Sequence, residues 1–527
     1  MSRAQPAALA SACSALYLHG RPNPAGIMTA GMASPASATG LTWPDYAVVF
    51  LALAALVAIG GAFTRRQRET SDFFLARRHI PWWAACLSFL ATEISAVTII
   101  SVPATAYAEN WQYVQFFVGS SLAKLVVAFL FIPAFYRYDC TTIYEFLRHR
   151  FGAASQVTGS LFFFVTRLLG SGVRLMAAAL AVSILMGWPF GATLTLFTVI
   201  SIVYIALGGV SAVVWTNVVQ ASLFLVGGLA TVGFLIAQTE GGAAALYATA
   251  AEAGRLSVVN WGPAPGDADF WRRALTDPNI VWLAVLNGLV GSMAAFGTDH
   301  DLMQRLLTVE TRRKSQWTLA LTPLGTLVTL AIYLSIGAGL FTYYAQHPTA
   351  GLPRPDEIFP FFIRSAMPEV LRGLMLTAIV LASIDSPLGS LAASFVTDIY
   401  RPLLVRGRSE RHYVAVSRAA VVGFGLVLAA IAWAFSRQDQ ILWLAFKIAG
   451  VTFGSLLGVF LLGLLTAVRA NRANVVAMVT MALVNLLLLV LAETKVIGLG
   501  WSWLVIVGTA GTMLLAALLA PVLDRRR

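Results

Sequence analysis

Apolar runs of about twenty residues recur along this chain from Pro44 to its C-terminal end, separated by short polar connectors. Each run is long enough to cross a hydrocarbon core of about 30 Å as an α-helix. About thirteen can be marked, the first near 44–63 and the last near 501–521. The pattern predicts an all-α integral membrane protein of about thirteen transmembrane helices.

Two of the runs carry polar breaks. The second, near 81–107, reads Leu87-Ser-Phe-Leu-Ala-Thr-Glu-Ile-Ser-Ala-Val-Thr-Ile-Ile-Ser-Val-Pro103, which sets Thr92, Glu93, Ser95, Thr98 and Ser101 in its middle. The ninth, near 371–397, contains Ala378-Ile-Val-Leu-Ala-Ser-Ile-Asp-Ser-Pro-Leu-Gly-Ser390, with hydroxyls crowded around Asp385 ahead of Pro387. Lipid offers backbone groups no partners, so a helix interrupted at membrane depth is tolerated only where it is buried or lines a polar cavity. Such breaks point to a cation-coupled secondary transporter of small solutes.

Composition agrees with this reading. Of 527 residues, 58% are hydrophobic and 11% charged, against about 25% charged in a soluble domain. The net charge of +12 sits in connectors and not along one face, so it is a topology signal and not a nucleic-acid footprint. One alternating set of connectors holds Arg65, Arg66 and Arg68; Arg305, Arg312, Arg313 and Lys314; Arg401, Arg406 and Arg408; and the tail Arg525 to Arg527. That set is expected in the cytoplasm, with the N-terminus outside and the C-terminus inside a bacterial-type inner membrane. Residues 1–43, rich in Ala, Ser, Pro and Gly, are expected to be disordered, and 44–527 to form one transmembrane domain. Three scattered cysteines give neither a zinc spacing nor a disulfide framework, and no clustered His/Cys or Ser/His/Asp arrangement suggests an enzyme.

Oxygen ligands suit hard cations, so the hydroxyl cluster of the ninth run reads as a sodium site completed by unwound carbonyls. Glu93 is a carboxylate at membrane depth and therefore a functional candidate. It has two readings: a proton-coupling group, or a buried ion pair with Arg174 in the fourth run. Thr98, Ser101 and Gln115 are candidate solute contacts, while Lys447 and His300 are near enough to span interiors to meet an anionic solute.

Several segments together resemble the sodium/solute symporter family. They are the turn Gly208-Gly-Val-Ser-Ala-Val-Val-Trp-Thr-Asn-Val-Val-Gln220, the pair Gln304-Arg305, the Ser383 to Tyr400 stretch, and Gly454-Ser-Leu-Leu-Gly-Val-Phe-Leu-Leu-Gly463. The resemblance implies a LeuT-type fold with a five-plus-five inverted-repeat core, at about 81–237 and 279–466, around a midplane site. It implies a sodium-coupled symporter working by alternating access, without an obligate protein partner. The shared sodium site falls by motif matching on oxygens of Ala91, Ile94, Ile379, Ala382 and Ser383.

Two departures stand out. The family commonly has two adjacent hydroxyl residues where this chain has Ala382 before Ser383, which removes one ligand. Its signature usually has Asp where this chain has Asn217, so a possible second cation site would draw its anion from Asp385, with Ser386 beside it. Where sugar-binding members place amides and carboxylates, this chain has Thr98, Phe117, Ser292 and Ala295, so sugar recognition by that scheme is not expected. Proton coupling and a transporter-like membrane receptor are the alternatives. The absence of a sizeable soluble segment argues against the receptor.

Overall fold

A computed structural model describes residues 41–64, 74–384, 387–437 and 441–524. Residues 1–40 of the segment expected to be disordered lie outside the described residues, as do Asp385 and Ser386. Among the described residues the architecture is all-helical. Among the described residues nine helices are long and apolar enough to cross a bilayer, or ten when one bent pair is counted as a single span.

In chain order the principal helices are α1 (Trp43–Thr64), α2 (Trp82–Glu93), α3 (Ala96–Ala108), α4 (Tyr113–Val126), α5 (Ile143–Arg150), α6 (Ala153–Met186) and α7 (Phe190–Gln238). They continue with α8 (Val281–Gly297), α9 (His300–Leu307), α10 (Arg312–Gln346), α11 (Leu371–Ile384), α12 (Leu388–Ser394), α13 (Glu410–Phe435), α14 (Ile441–Leu465), α15 (Asn471–Glu493) and α16 (Ser502–Leu523). The connectors expected on the outer side carry short helices, Gly242–Glu252, Phe270–Thr276 and Pro355–Ala366. The turn expected at Gly208 is helical, and α7 carries two apolar stretches, Phe190–Ala206 and Val210–Gln238.

The second run breaks where its polar residues stand. Ile94 (φ −84°, ψ 98°) and Ser95 (φ −102°, ψ 178°) are extended, and α2 and α3 meet there at 54°. The ninth run also ends as a helix at Ile384 and resumes at Leu388. The first interruption lies inside the protein, since Ala91 and Ile94 are buried, and Ile379, Ala382 and Leu388 on either side of the second are buried as well.

The helices that surround the first break are drawn together by missing side chains. A Cβ on Gly119 of α4 would lie 2.0 Å from the Val285 carbonyl oxygen, and one on Gly288 of α8 would lie 2.1 Å from that of Phe116. The two backbones therefore touch, an approach that only glycine permits and that membrane helices use in place of a hydrophobic driving force. The outer surface is apolar: Phe50, Leu483 and Leu514 are all more than half exposed, as lipid-facing positions require.

Candidate functional site

The break between α2 and α3 frees backbone oxygens. Ile94 N–H donates to the Leu90 carbonyl (2.8 Å) and Ile99 N–H to that of Ser95 (3.1 Å), but no backbone N–H among the described residues reaches the Ala91 or Ile94 carbonyl. Between them in sequence, the Thr92 carbonyl accepts from Arg174 Nη1 at 3.1 Å. Arg174 also borders a small cavity of about 20 Å³ together with Ala382, Pro387, Ser171, Thr198 and Ser201. Arg174 thus borders both the first break and the small cavity that Ala382 of α11 lines. Ile379 is fully buried in α11; Ser383 lies one residue before its end, and its side chain falls outside what is described.

Beside the break lies a larger cavity of about 220 Å³. Its apolar wall includes Tyr113, Phe116, Phe446 and Trp501, whose rings pack edge to face or stacked on one another. Its polar wall includes Glu93, Ser95, Thr98 and Ser292, with Arg167 and Arg174 from α6. Seven residues separate the two arginines, about two helical turns, so they share one face.

Each charge in this wall has partners. Glu93 Oε2 accepts from Lys124 Nζ (2.8 Å) and from the Thr326 hydroxyl (2.9 Å), and Lys124 Nζ donates also to Thr326 Oγ1 at 2.8 Å. Lys124 is buried, and its ammonium lies 5.2 Å from the Phe296 ring centroid. Arg167 pairs with Asp299 (3.2 Å) and with Asp301, and Asp301 is also 3.1 Å from Arg305. Four charges are thereby collected where α6, α8 and α9 meet.

These contacts revise several expectations. Glu93 and Arg174 do not form an ion pair: Lys124 of α4 takes the carboxylate, and Arg174 takes a carbonyl instead. Thr98 lines the cavity, whereas Ser101 is buried away from it with its hydroxyl lacking a partner among the described residues. Gln115 does not line the cavity; it ties down the connector ahead of α8, donating to the Asn279 carbonyl (2.9 Å) and accepting from Asn260 N–H (3.0 Å). Asn217 is buried and donates to Ser88 Oγ and Thr92 Oγ1, each at 3.1 Å, on the first half of the broken helix. His300 is buried against Tyr144 and Phe163, and Lys447 pairs with Glu493 at 2.7 Å. The residues that sequence reasoning passed over are Lys124, Arg167 and Asp299. The signal that flags Glu93, a charge inside an apolar run, flags Lys124 and Arg167 equally.

The sequence pattern of the family described as "Sodium:solute symporter family" matches residues 73–483. The chain belongs to that family. Over 491 residues it is 29% identical to the sodium/sialic acid symporter SiaT of Proteus mirabilis, spanning 91% of this chain and 95% of that protein. It is 26% identical over 438 residues to human sodium-coupled monocarboxylate transporter 1, spanning 81% of this chain and 70% of that protein. A solved structure of a Na⁺-coupled sialic acid symporter, substrate-bound and outward-open, superposes with a TM-score of 0.81 at 26% identity and covers 91% of this chain and 98% of that one. This symporter is a sodium-coupled, multi-pass membrane transporter of a small solute.

Proposed function

We propose that this symporter imports a small organic carboxylate that also carries hydroxyl or amine donors, a solute of the sialic acid kind, and that it catalyses no reaction. The observation that carries the reading is the pairing of opposite charges in one cavity wall, Arg167 and Arg174 on one side and Glu93 on another. Guanidinium groups match carboxylates, and Glu93 offers an acceptor to hydroxyl or ammonium donors. A plain monocarboxylate would leave that acceptor without a partner, which is costly away from water. At about 220 Å³ the cavity lies below the roughly 300–1,000 Å³ of sites for drug-sized ligands.

Sodium would bind at the break through the Ala91 and Ile94 carbonyls, joined from α11 by Ile379, Ala382 and Ser383. The carbonyls left without backbone donors support this set. Ala382 supplies no hydroxyl, so sodium holds one ligand fewer than the family's usual set. Asp385, Ser386 and Asn217 are proposed for a second cation; Asn217 Nδ2 donates to Ser88 and Thr92, while its Oδ1 has no partner among the described residues. We propose thirteen crossings, assigned to the nine long spans, the bent pair and the three shorter apolar helices. They are proposed to form inverted repeats at 81–237 and 279–466, with the N-terminus outside and the C-terminus inside the inner membrane. Each sodium entering at 100 mV contributes about 2.3 kcal/mol, enough for roughly fiftyfold accumulation.

The test is uptake into proteoliposomes of labelled sialic acid, propionate and glucose under a sodium gradient, a proton gradient, or neither. Sodium-dependent accumulation of sialic acid well above propionate, and none of glucose, is expected. Glucose accumulation, equal uptake of propionate, or uptake driven by protons without sodium would overturn the proposal.

A further inference from the structure

A second pocket, remote from the solute cavity, is built from basic residues at the end of the molecule where the arginine-rich connectors gather. We propose that it binds the phosphate of an anionic phospholipid headgroup. It has a volume of about 490 Å³ and lies between the start of α5 and the π-helical continuation of α12, Phe395–Leu404. Arg148, Arg401 and Arg406 line it together with the Thr141 and Thr397 hydroxyls and one carboxylate, Glu145.

That carboxylate is already committed. Glu145 Oε2 accepts from Thr141 N–H (2.6 Å) and Thr142 N–H (3.3 Å), closing the first turn of α5. Three guanidinium groups therefore face a pocket whose one acid is engaged with backbone. Arg148 makes no ion pair or hydrogen bond among the described residues. Arg401 lies 3.5 Å from Glu410 and over the Tyr413 ring, and Arg406 Nε donates to the Pro402 carbonyl at 2.8 Å. The last two contacts fix direction more than they neutralise charge, leaving planar donor forks of the geometry that phosphate oxygens accept.

The surroundings select a lipid over a soluble phosphate. Leu403 and Leu404, between the two arginines, are 54% and 64% exposed. Leucines beside arginines at a span end match the boundary of acyl chains and headgroups, where each basic residue adds attraction to anionic lipid.

The experiment measures the melting temperature of the lipid-stripped, purified full chain while phosphatidylglycerol, phosphatidylcholine or inorganic phosphate is titrated in. The variants are the Arg148→Gln/Arg406→Gln pair and, as a control for loss of basic charge elsewhere, Arg313→Gln. Phosphatidylglycerol is expected to raise the melting temperature saturably for wild type and Arg313→Gln, with half-saturation about thirtyfold higher in the double variant. Equal shifts in all three proteins, or equal effects of the two lipids, would overturn the proposal. A saturable shift from inorganic phosphate alone, matching that from phosphatidylglycerol, would assign the pocket to a soluble anion and overturn the lipid. Should the double variant fail to fold, native mass spectrometry of wild type and of Arg148→Gln decides: one fewer retained anionic lipid in the variant supports the site, and an equal number refutes it.

Discussion

Two buried ion pairs in this symporter use the same chemistry to different ends. At the end of the molecule proposed to face outward, Asp45 of α1 meets Arg372 of α11, with Nε at 2.8 Å and Nη2 at 2.5 Å from Oδ2. Both carboxylate oxygens are saturated, because Thr42 N–H also reaches Oδ2 while Val370 and Gly373 N–H groups reach Oδ1. At the cavity, Glu93 meets Lys124, but only Oε2 is engaged, and its side chain keeps 11% exposure against 0% for Asp45. Glu93 Oε1 has no partner among the described residues and belongs to a residue that lines the cavity. A pair completed on every side is a clamp; a pair with one acceptor unengaged beside a cavity fits the solute contact proposed for Glu93.

The sharpest way to break this comparison is Arg372→Met. It strands a fully buried carboxylate, for which removal of one partner costs about 3–5 kcal/mol. The purified variant should melt far below wild type or fail to accumulate in the membrane. Unchanged melting would show that the outer pair clamps nothing.

Lys124→Met should have a smaller effect on stability, about 1–3 kcal/mol, because Glu93 keeps the Thr326 hydroxyl and the cavity. Its effect on transport should be large, since the carboxylate loses the ammonium that positions it. The variant Lys124→Met/Glu93→Gln removes both charges and should recover most of the melting temperature while uptake stays low. Recovery of uptake as well would make this pair as purely structural as the outer one.

The same contrast explains what the sequence could and could not say. The first break was legible because Glu93 and Ser95 interrupt an apolar run, and only an internal cavity tolerates that. That Glu93 needs a cation was legible too. Which cation was not: Lys124 and Arg174 each stand inside a neighbouring run, and the choice depends on how α4 and α6 rotate about α2. The partners of Gln115 were hidden for a related reason. An amide in an apolar run looks like a cavity residue, yet it lies near the start of α4, within reach of the connector around Asn260. Asp45 and Arg372 left no comparable trace, because each stands at the edge of its run, where charges are unremarkable.

The finest test is Thr326→Val. The Thr326 hydroxyl accepts from Lys124, and its single proton lies between Glu93 Oε2 at 2.9 Å and the Thr322 carbonyl at 3.0 Å. Valine keeps the shape and removes only this bridge, so the stability loss should be about 0.5–1.5 kcal/mol. Because Lys124 still holds Glu93, uptake should persist with a raised KM for the solute and little change in maximal rate, as expected when an acceptor is loosened but not lost. A KM equal to wild type would mean that the hydroxyl does not help position the carboxylate. Loss of uptake as complete as in Lys124→Met/Glu93→Gln would mean that α2, α4 and α10 hold Glu93 as one unit, with no member of the triad dispensable.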